Sequence, residues 1–350
     1  MVFPNFLLGA QRLQDGQASV RALRVGDRVA IRPAAEIFAT LDEHGARDGL
    51  PFMPEMLPFC GQRFAVLKVA HKTCDPTGDS NLRHIGVEGA VHLATRCDGS
   101  AHGGCQARCL FYWHPDWLAP ADAALDRKPA EAPAAGVDVL TRETRAAHST
   151  PEKVRYRCQA TEISRFSKPI SSLEPTQYVR DLTSGNVGLV DYIRYGIRGA
   201  IIATRRTILS KSLREFLKKA LRGGGGKAET SEIEAVAEAP KLNLQVGELV
   251  RVKPAAEILA TLDDEGKHQG LTFDPDMALR AGQTFRVSQR VEKLIDEKTG
   301  RMLRIRKDSI VLDGVSCMGT HHCNRLFCPR GALQFWREEW LERVTETEGG

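Results

Sequence analysis

Two stretches of this chain are copies of one another. Residues 23–42 read LRVGDRVAIRPAAEIFATLD and residues 244–263 read LQVGELVRVKPAAEILATLD, identical at 13 of 20 positions with a constant offset of 221. The register holds through Gly49-Leu50 and Gly270-Leu271, Phe52 and Phe273, Pro54 and Pro275, Met56 and Met277, Gly61-Gln62 and Gly282-Gln283, and Phe64 and Phe285. A repeat of this length means one structural unit built twice, each copy burying its own apolar face. Repeat one spans 21–118 and repeat two 243–345, preceded by an arm at 1–20.

Each copy opens Val-Gly-Asp/Glu-x-Val-x-Ile/Val. The glycine turns the chain, and the alternation that follows has the period of two of a half-buried strand. Pro33 and Pro254 sit where a short helix begins, over Ala-Ala-Glu-Ile-x-Ala-Thr-Leu-Asp. Further strands are expected at 64–69 with 285–289, and at 87–93 with 309–312. Trp113 and Trp117 match Trp336 and Trp340. The expected class is α+β: two tandem homologous small β-barrels, each with a short helix, joined by a helical basic insert. The opening pattern resembles SH3-like and KOW-type barrels.

Between the repeats, 119–153 is rich in Ala, Pro and charge and reads as a linker, and 223–242 opens with Gly223–Gly226 and reads as a second. The insert at 154–222 is helical in pattern from 187 onward. Residues 189–227 carry ten Lys/Arg and two acids, a local +8 that leaves −3 for the rest of a chain of net charge +5. Basicity is thus confined to one segment, and nucleic-acid binding by KOW-like barrels ranks last among the functions considered. The bland reading of 189–222 is a helix covering a neighbouring barrel. The functional one is a surface for a protein partner or an anionic membrane. No apolar run reaches a membrane span, and the N-terminal residues lack a signal-peptide pattern, so the expected location is cytoplasmic or peripheral to a membrane.

Nine cysteines are present, six of them in two tight clusters with histidine. Repeat one carries Cys97-Asp-Gly-Ser-Ala-His102-Gly-Gly-Cys105-Gln-Ala-Arg-Cys109, and His71 and Cys74 lie earlier in the same repeat as further candidates. Repeat two carries Cys317-Met-Gly-Thr-His321-His322-Cys323-Asn-Arg-Leu-Phe-Cys328. Thiolate and imidazole are the donors zinc prefers, with iron the alternative, and glycines let the loop close about an ion. Aligning the copies puts Cys328 on Cys105 and Cys317 on Cys97, with three residues inserted between. Cys109 then corresponds to Ala332, His71 to Glu292 and Cys74 to Ile295. For repeat two the expected set is Cys317, Cys323, Cys328 and one of His321 and His322. Cys60 and Cys158 read as ordinary core thiols. Leu50, Phe52, Met53, Met56 and Leu57 are partner-surface candidates, with core packing as the alternative.

Five segments, GLPFMPEM (49–56), AHKTCD (70–75), CDGSAHGGCQARC (97–109), YRCQATE (156–162) and QYVRDLTSGNV (177–187), resemble an uncharacterised bacterial Cys/His-rich family. Repeat two departs from these motifs. The resemblance implies a recurring Cys/His motif and an association with surface-polysaccharide or specialised-metabolite genes, and it supplies no reaction. The leading expectation is a metal-binding accessory or interaction protein. A metalloenzyme with its active site in repeat one is the alternative.

Overall fold

A computed structural model describes residues 22–75, 81–123, 132–150, 153–197, 242–320 and 325–344. The expected linker at 223–242, the insert beyond 197, and His321, His322 and Cys323 lie outside the described residues, save Leu242.

Repeat one folds into five antiparallel strands, β1 (Arg28–Ile31), β4 (Arg63–Val69), β7 (Val91–Arg96), β8 (Leu110–Trp113) and β9 (Leu118–Pro120), in the order β8-β7-β4-β1-β9. Repeat two gives β11 (Leu249–Val252), β14 (Thr284–Arg290), β17 (Ile310–Ser316), β18 (Leu333–Trp336) and β19 (Leu341–Arg343), in the order β18-β17-β14-β11-β19. The duplication extends to single residues. Val29 pairs with Phe64 as Val250 pairs with Phe285. The bulge between Val66 and Lys68 recurs between Val287 and Gln289. The class is therefore mixed α+β with two similar β half-barrels.

Each core closes in the same way. Pro33 and Pro254 open helices α1 (Ala34–Phe38) and α4 (Ala255–Ala260), each followed by a hairpin of two-residue strands, β2 (Ala46–Arg47)–β3 (Leu50–Pro51) and β12 (Lys267–His268)–β13 (Leu271–Thr272). Past each helix a threonine hydroxyl, Thr40 or Thr261, donates to the carbonyl of Ile37 or Ile258 and accepts the indole N–H of Trp117 or Trp340 at 3.1 Å. Phe52 and Phe273 meet those indoles edge-on, each with centroids 5.3 Å apart. All four tryptophans are fully buried. Leu50, Phe52, Met53 and Met56 are buried in the same core, and so form no partner surface.

The segments between the repeats are more ordered than their composition suggests. The stretch 119–153 contains helix α2 (Ala134–Glu143), anchored through buried Leu140. The insert opens with a strand, β10 (Ser167–Ile170), before helix α3 (Thr176–Thr183). Strand β10 joins hairpin β5 (Lys72–Cys74)–β6 (Leu82–Ile85) in a three-stranded sheet, and Ile163 and Phe166 enter the core of repeat one. Helical periodicity at 187 and beyond drew the sequence reading over residues that tertiary pairing holds extended.

The corresponding hairpin of repeat two is β15 (Lys293–Ile295)–β16 (Met302–Arg304). The two hairpins are exchanged. The Cys74 amide donates to Cys328 Sγ at 3.0 Å, and the Ile295 amide donates to Cys105 Sγ at 3.3 Å. Cys74 and Ile295 are equivalent positions, as are Cys328 and Cys105, so each hairpin lies on the cysteine loop of the other repeat.

Candidate metal centre

The loop after β7 is closed at its base by the Cys97 amide, which donates to the Cys109 carbonyl at 2.9 Å. Gly99 has φ +73°, and a Cβ there would stand 2.1 Å from the Cys105 carbonyl oxygen. Only glycine lets the backbone approach so closely in that left-handed conformation. The equivalent Gly319 has φ +65°, and its Cβ would stand 2.7 Å from the Cys328 amide nitrogen. Both loops therefore fold back on the equivalent cysteine, Cys105 or Cys328, despite their different lengths.

This tight turn places His102 inside the protein, 1% exposed. Its Nε2 lies 2.8 Å from the Arg157 carbonyl, and its Nδ1 lies 2.6 Å from Glu55 Oε1. A carbonyl only accepts, so Nε2 carries a proton and Nδ1 is the atom turned to the carboxylate. A metal-bound imidazole is commonly oriented by this kind of N–H···O=C contact on its far nitrogen. Glu55, from the short turn Pro54–Phe59, also takes the Ala101 amide on Oε1 at 3.1 Å. Its Oε2 is buried without a hydrogen-bond partner among the described residues. Glu55, Cys97 and His102 each offer a ligand atom, all within 4.8 Å of one another. Burial first, then the Glu55 charge, push the Cys97 thiol far above its ordinary range. A cation among these groups would oppose both effects and favour the thiolate.

The other cysteines of the loop stand round an adjoining cavity of ≈ 270 Å³, lined by Cys97, His102, Cys105, Cys109 and Cys158, and by Leu294, Ile295, Glu297 and Arg330 of repeat two. Burial pushes Cys109 up to about 12 and Cys158 up to about 11. Cys60 also packs against the core of repeat one, where burial pushes it up to about 12.

His71 and Cys74, expected as further ligands of repeat one, contact groups other than Glu55, Cys97 and His102. His71 Nε2 faces Asp181 Oδ1 at 3.1 Å. The Cys74 amide donates to Cys328 Sγ at 3.0 Å, and the Cys74 sulfur receives Arg330 Nη1 at 3.6 Å. The adjacent guanidinium favours the Cys74 thiolate.

Repeat two repeats the plan with changes. Asp276 occupies the place of Glu55, buried, and accepts the Met318 amide at 3.2 Å and the Cys317 thiol at 3.6 Å on Oδ2. Burial and Asp276 push Cys317 up to about 12. Cys74, Cys317 and Cys328 line a cavity of ≈ 360 Å³, the counterpart of the one beside Cys97.

The acid of each site escaped the sequence reading, although Glu55 and Asp276 stand side by side in the aligned copies as Pro-Glu-Met and Pro-Asp-Met. Cys158 packs against the core of repeat one, as a core thiol does, and also lines the adjoining cavity. Its neighbours serve the site: the Arg157 carbonyl orients His102, and the Gln159 side chain clamps Tyr112 by donating to its carbonyl and accepting its amide. The two remaining motifs meet each other. Lys72 of AHKTCD meets Gln177 and Asp181 of QYVRDLTSGNV, and Asn186 brackets Val69, its Oδ1 accepting the amide and its Nδ2 donating to the carbonyl, each at 2.8 Å.

Neither the protein-family models nor the curated proteins contain a match to this chain. Among the described residues no helix is long and apolar enough to cross a membrane. The helical stretch 189–197 leaves Leu189, Val190, Ile193 and Ile197 more than half exposed.

Proposed function

We propose that this chain is a metal-binding accessory protein built from two SH3-like barrels, with a divalent ion held in repeat one by Glu55, Cys97 and His102. The observation that carries the reading is the buried Glu55 carboxylate. One of its oxygens contacts the imidazole Nδ1 and the other has no partner among the described residues, beside a thiol. An orphaned buried carboxylate oxygen is costly, and a cation at that point would satisfy it. A mixed nitrogen, oxygen and sulfur donor set suits zinc, with iron second.

Metal analysis of protein purified without chelators tests the reading. One equivalent per chain is expected at this centre. It should fall at least tenfold in Glu55→Gln, Cys97→Ser and His102→Ala variants that keep native circular dichroism. Unchanged metal content in all three would sink the proposal.

One observation favours a metalloenzyme as the second reading. Three protein ligands leave a tetrahedral ion one open position, and Cys97 and His102 both border the ≈ 270 Å³ cavity. In cobalt-substituted protein, a visible spectrum that shifts on adding azide would support an exchangeable position. An unresponsive spectrum supports the closed, structural role. For the accessory role, the exposed apolar residues at 189–197 and the basic residues that follow suggest a partner or an anionic membrane. Sedimentation with phosphatidylserine vesicles separates the two.

A further inference from the structure

Cys74 and Cys328 lie 254 residues apart in sequence, yet the Cys74 backbone amide donates to the Cys328 sulfur at 3.0 Å at the seam between the repeats. We propose that this pair is a redox-active dithiol that exchanges with small, carboxylate-bearing disulfides and closes a reversible covalent link between the two repeats. The inference does not depend on the metal centre in repeat one, which uses other residues.

Three features of the geometry carry it. The pair is preformed: the Cys74 backbone amide already donates to Cys328 Sγ at 3.0 Å, so the second sulfur sits against the residue it must attack. The roles of the sulfurs differ. Arg330 donates to Cys74 Sγ, and Arg330 Nη2 is anchored in turn on Glu297 at 2.5 Å, which fixes a guanidinium beside that sulfur and favours its thiolate. Among the described residues no guanidinium donates to the Cys328 sulfur, which lies where a resolving thiol must, against the backbone of Cys74. Finally, the pair borders the ≈ 360 Å³ cavity, where Arg325 and Arg330 outnumber the acid Asp274, so an anionic partner is favoured. Cys317 borders the same cavity, but its thiol is turned to the Asp276 carboxylate, which opposes its ionisation. The described cysteines are all free.

The exchange balances as follows. The Cys74 thiolate attacks one sulfur of the small disulfide. A bond from Cys74 to that sulfur forms, the original S–S bond breaks, and the first small thiolate leaves and takes a proton from solvent. Cys328 then gives its proton to solvent and attacks the Cys74 sulfur, and the second small thiolate departs and is protonated. Two protein thiols are oxidised and one small disulfide is reduced to two thiols. Excess small thiol reverses both steps.

The test is native full-length protein incubated with glutathione disulfide, quenched with acid and mapped by peptide mass spectrometry. The expected main product joins the Cys74 and Cys328 peptides and is reversed by reduced glutathione. In Cys328→Ser the reaction should stop with glutathione on Cys74, and in Cys74→Ser residue 328 should stay unmodified. Arg330→Met should slow modification of Cys74 at least tenfold at neutral pH. The idea is overturned if the wild type leaves Cys74 and Cys328 unmodified under conditions that oxidise the urea-unfolded chain. It is equally overturned if Cys74→Ser removes a bound metal equivalent from the purified protein, which would make the pair metal ligands.

Discussion

Replacing Lys72 by methionine should unfold this protein more readily than any surface change. Lys72 and Asp181 are both fully buried, with Nζ 2.6 Å from Oδ2. Nζ also donates to the Leu326 carbonyl of repeat two at 2.8 Å and lies 4.9 Å from the Tyr178 ring centroid. Methionine keeps the stem and removes the charge. Asp181 then loses the ammonium in contact with it and keeps His71 on Oδ1, a loss of about 3–5 kcal/mol for a broken buried pair. The Leu326 carbonyl loses a hydrogen bond worth about 1 kcal/mol more. The expected total of roughly 4–6 kcal/mol is a large part of the 5–15 kcal/mol that holds most domains. Replacing both partners, Lys72→Met with Asp181→Leu, should recover at least about 2 kcal/mol, because an apolar pair of similar volume pays no desolvation. Urea unfolding followed by tryptophan fluorescence reads this directly. Two buried tryptophans report each repeat, Trp113 and Trp117 on one and Trp336 and Trp340 on the other. Because Lys72 reaches Leu326, both transitions should move together. A single-mutant loss below about 1 kcal/mol, or a double mutant no better than the single, would refute the reasoning.

Two further outcomes follow from the same structure. His92 is fully buried, donates Nδ1–H to the Phe111 carbonyl, and is held down to about 4 from 6.5, chiefly by burial. Its folded value lies below its unfolded one, so the unfolded chain binds the extra proton. Its contribution is complete above pH 6.5 and is lost as pH falls toward 4, roughly 3 kcal/mol in all. His92→Phe should flatten the urea midpoint over that window, and an unchanged slope would count against it. Gly99→Ala should cost more than about 3 kcal/mol, because left-handed strain is joined by the collision with Cys105. Gly61→Ala, at φ +76° with nothing within 4 Å of the added Cβ, should cost only about 1–2 kcal/mol. Thermal melts of equal size for the two would contradict the loop geometry.

The duplication made much of the fold readable from the sequence. Equal spacing fixed which residues are equivalent, and Thr40 with Trp117 and Thr261 with Trp340 take up equivalent contacts. Gly99 and Gly319 likewise turn toward Cys105 and Cys328, as the alignment with three inserted residues requires. The candidate centre was only half readable. Cys97 and His102 announced themselves as metal-ligand types in a glycine-rich loop. Glu55 did not, since acids are mostly exposed and only tertiary packing buries this one. The destination of Cys74 was hidden for another reason. Local pattern predicts a hairpin, but which repeat the hairpin leans on depends on contacts hundreds of residues away. Residues 167–170, Ser-Lys-Pro-Ile, show no strand alternation and join a sheet only through pairing with Leu82–Ile85.

The mutual exchange of hairpins has a consequence for how the gene product can be divided. Neither half owns a complete set of groups around its cysteine loop. Severing the chain in the glycine-rich stretch after residue 222 should therefore yield two fragments that remain associated and co-purify. A lone copy of either half would expose the surface its twin normally covers. Such a copy would be driven to pair with itself, as if the tandem chain were a two-fold assembly tied into one polypeptide.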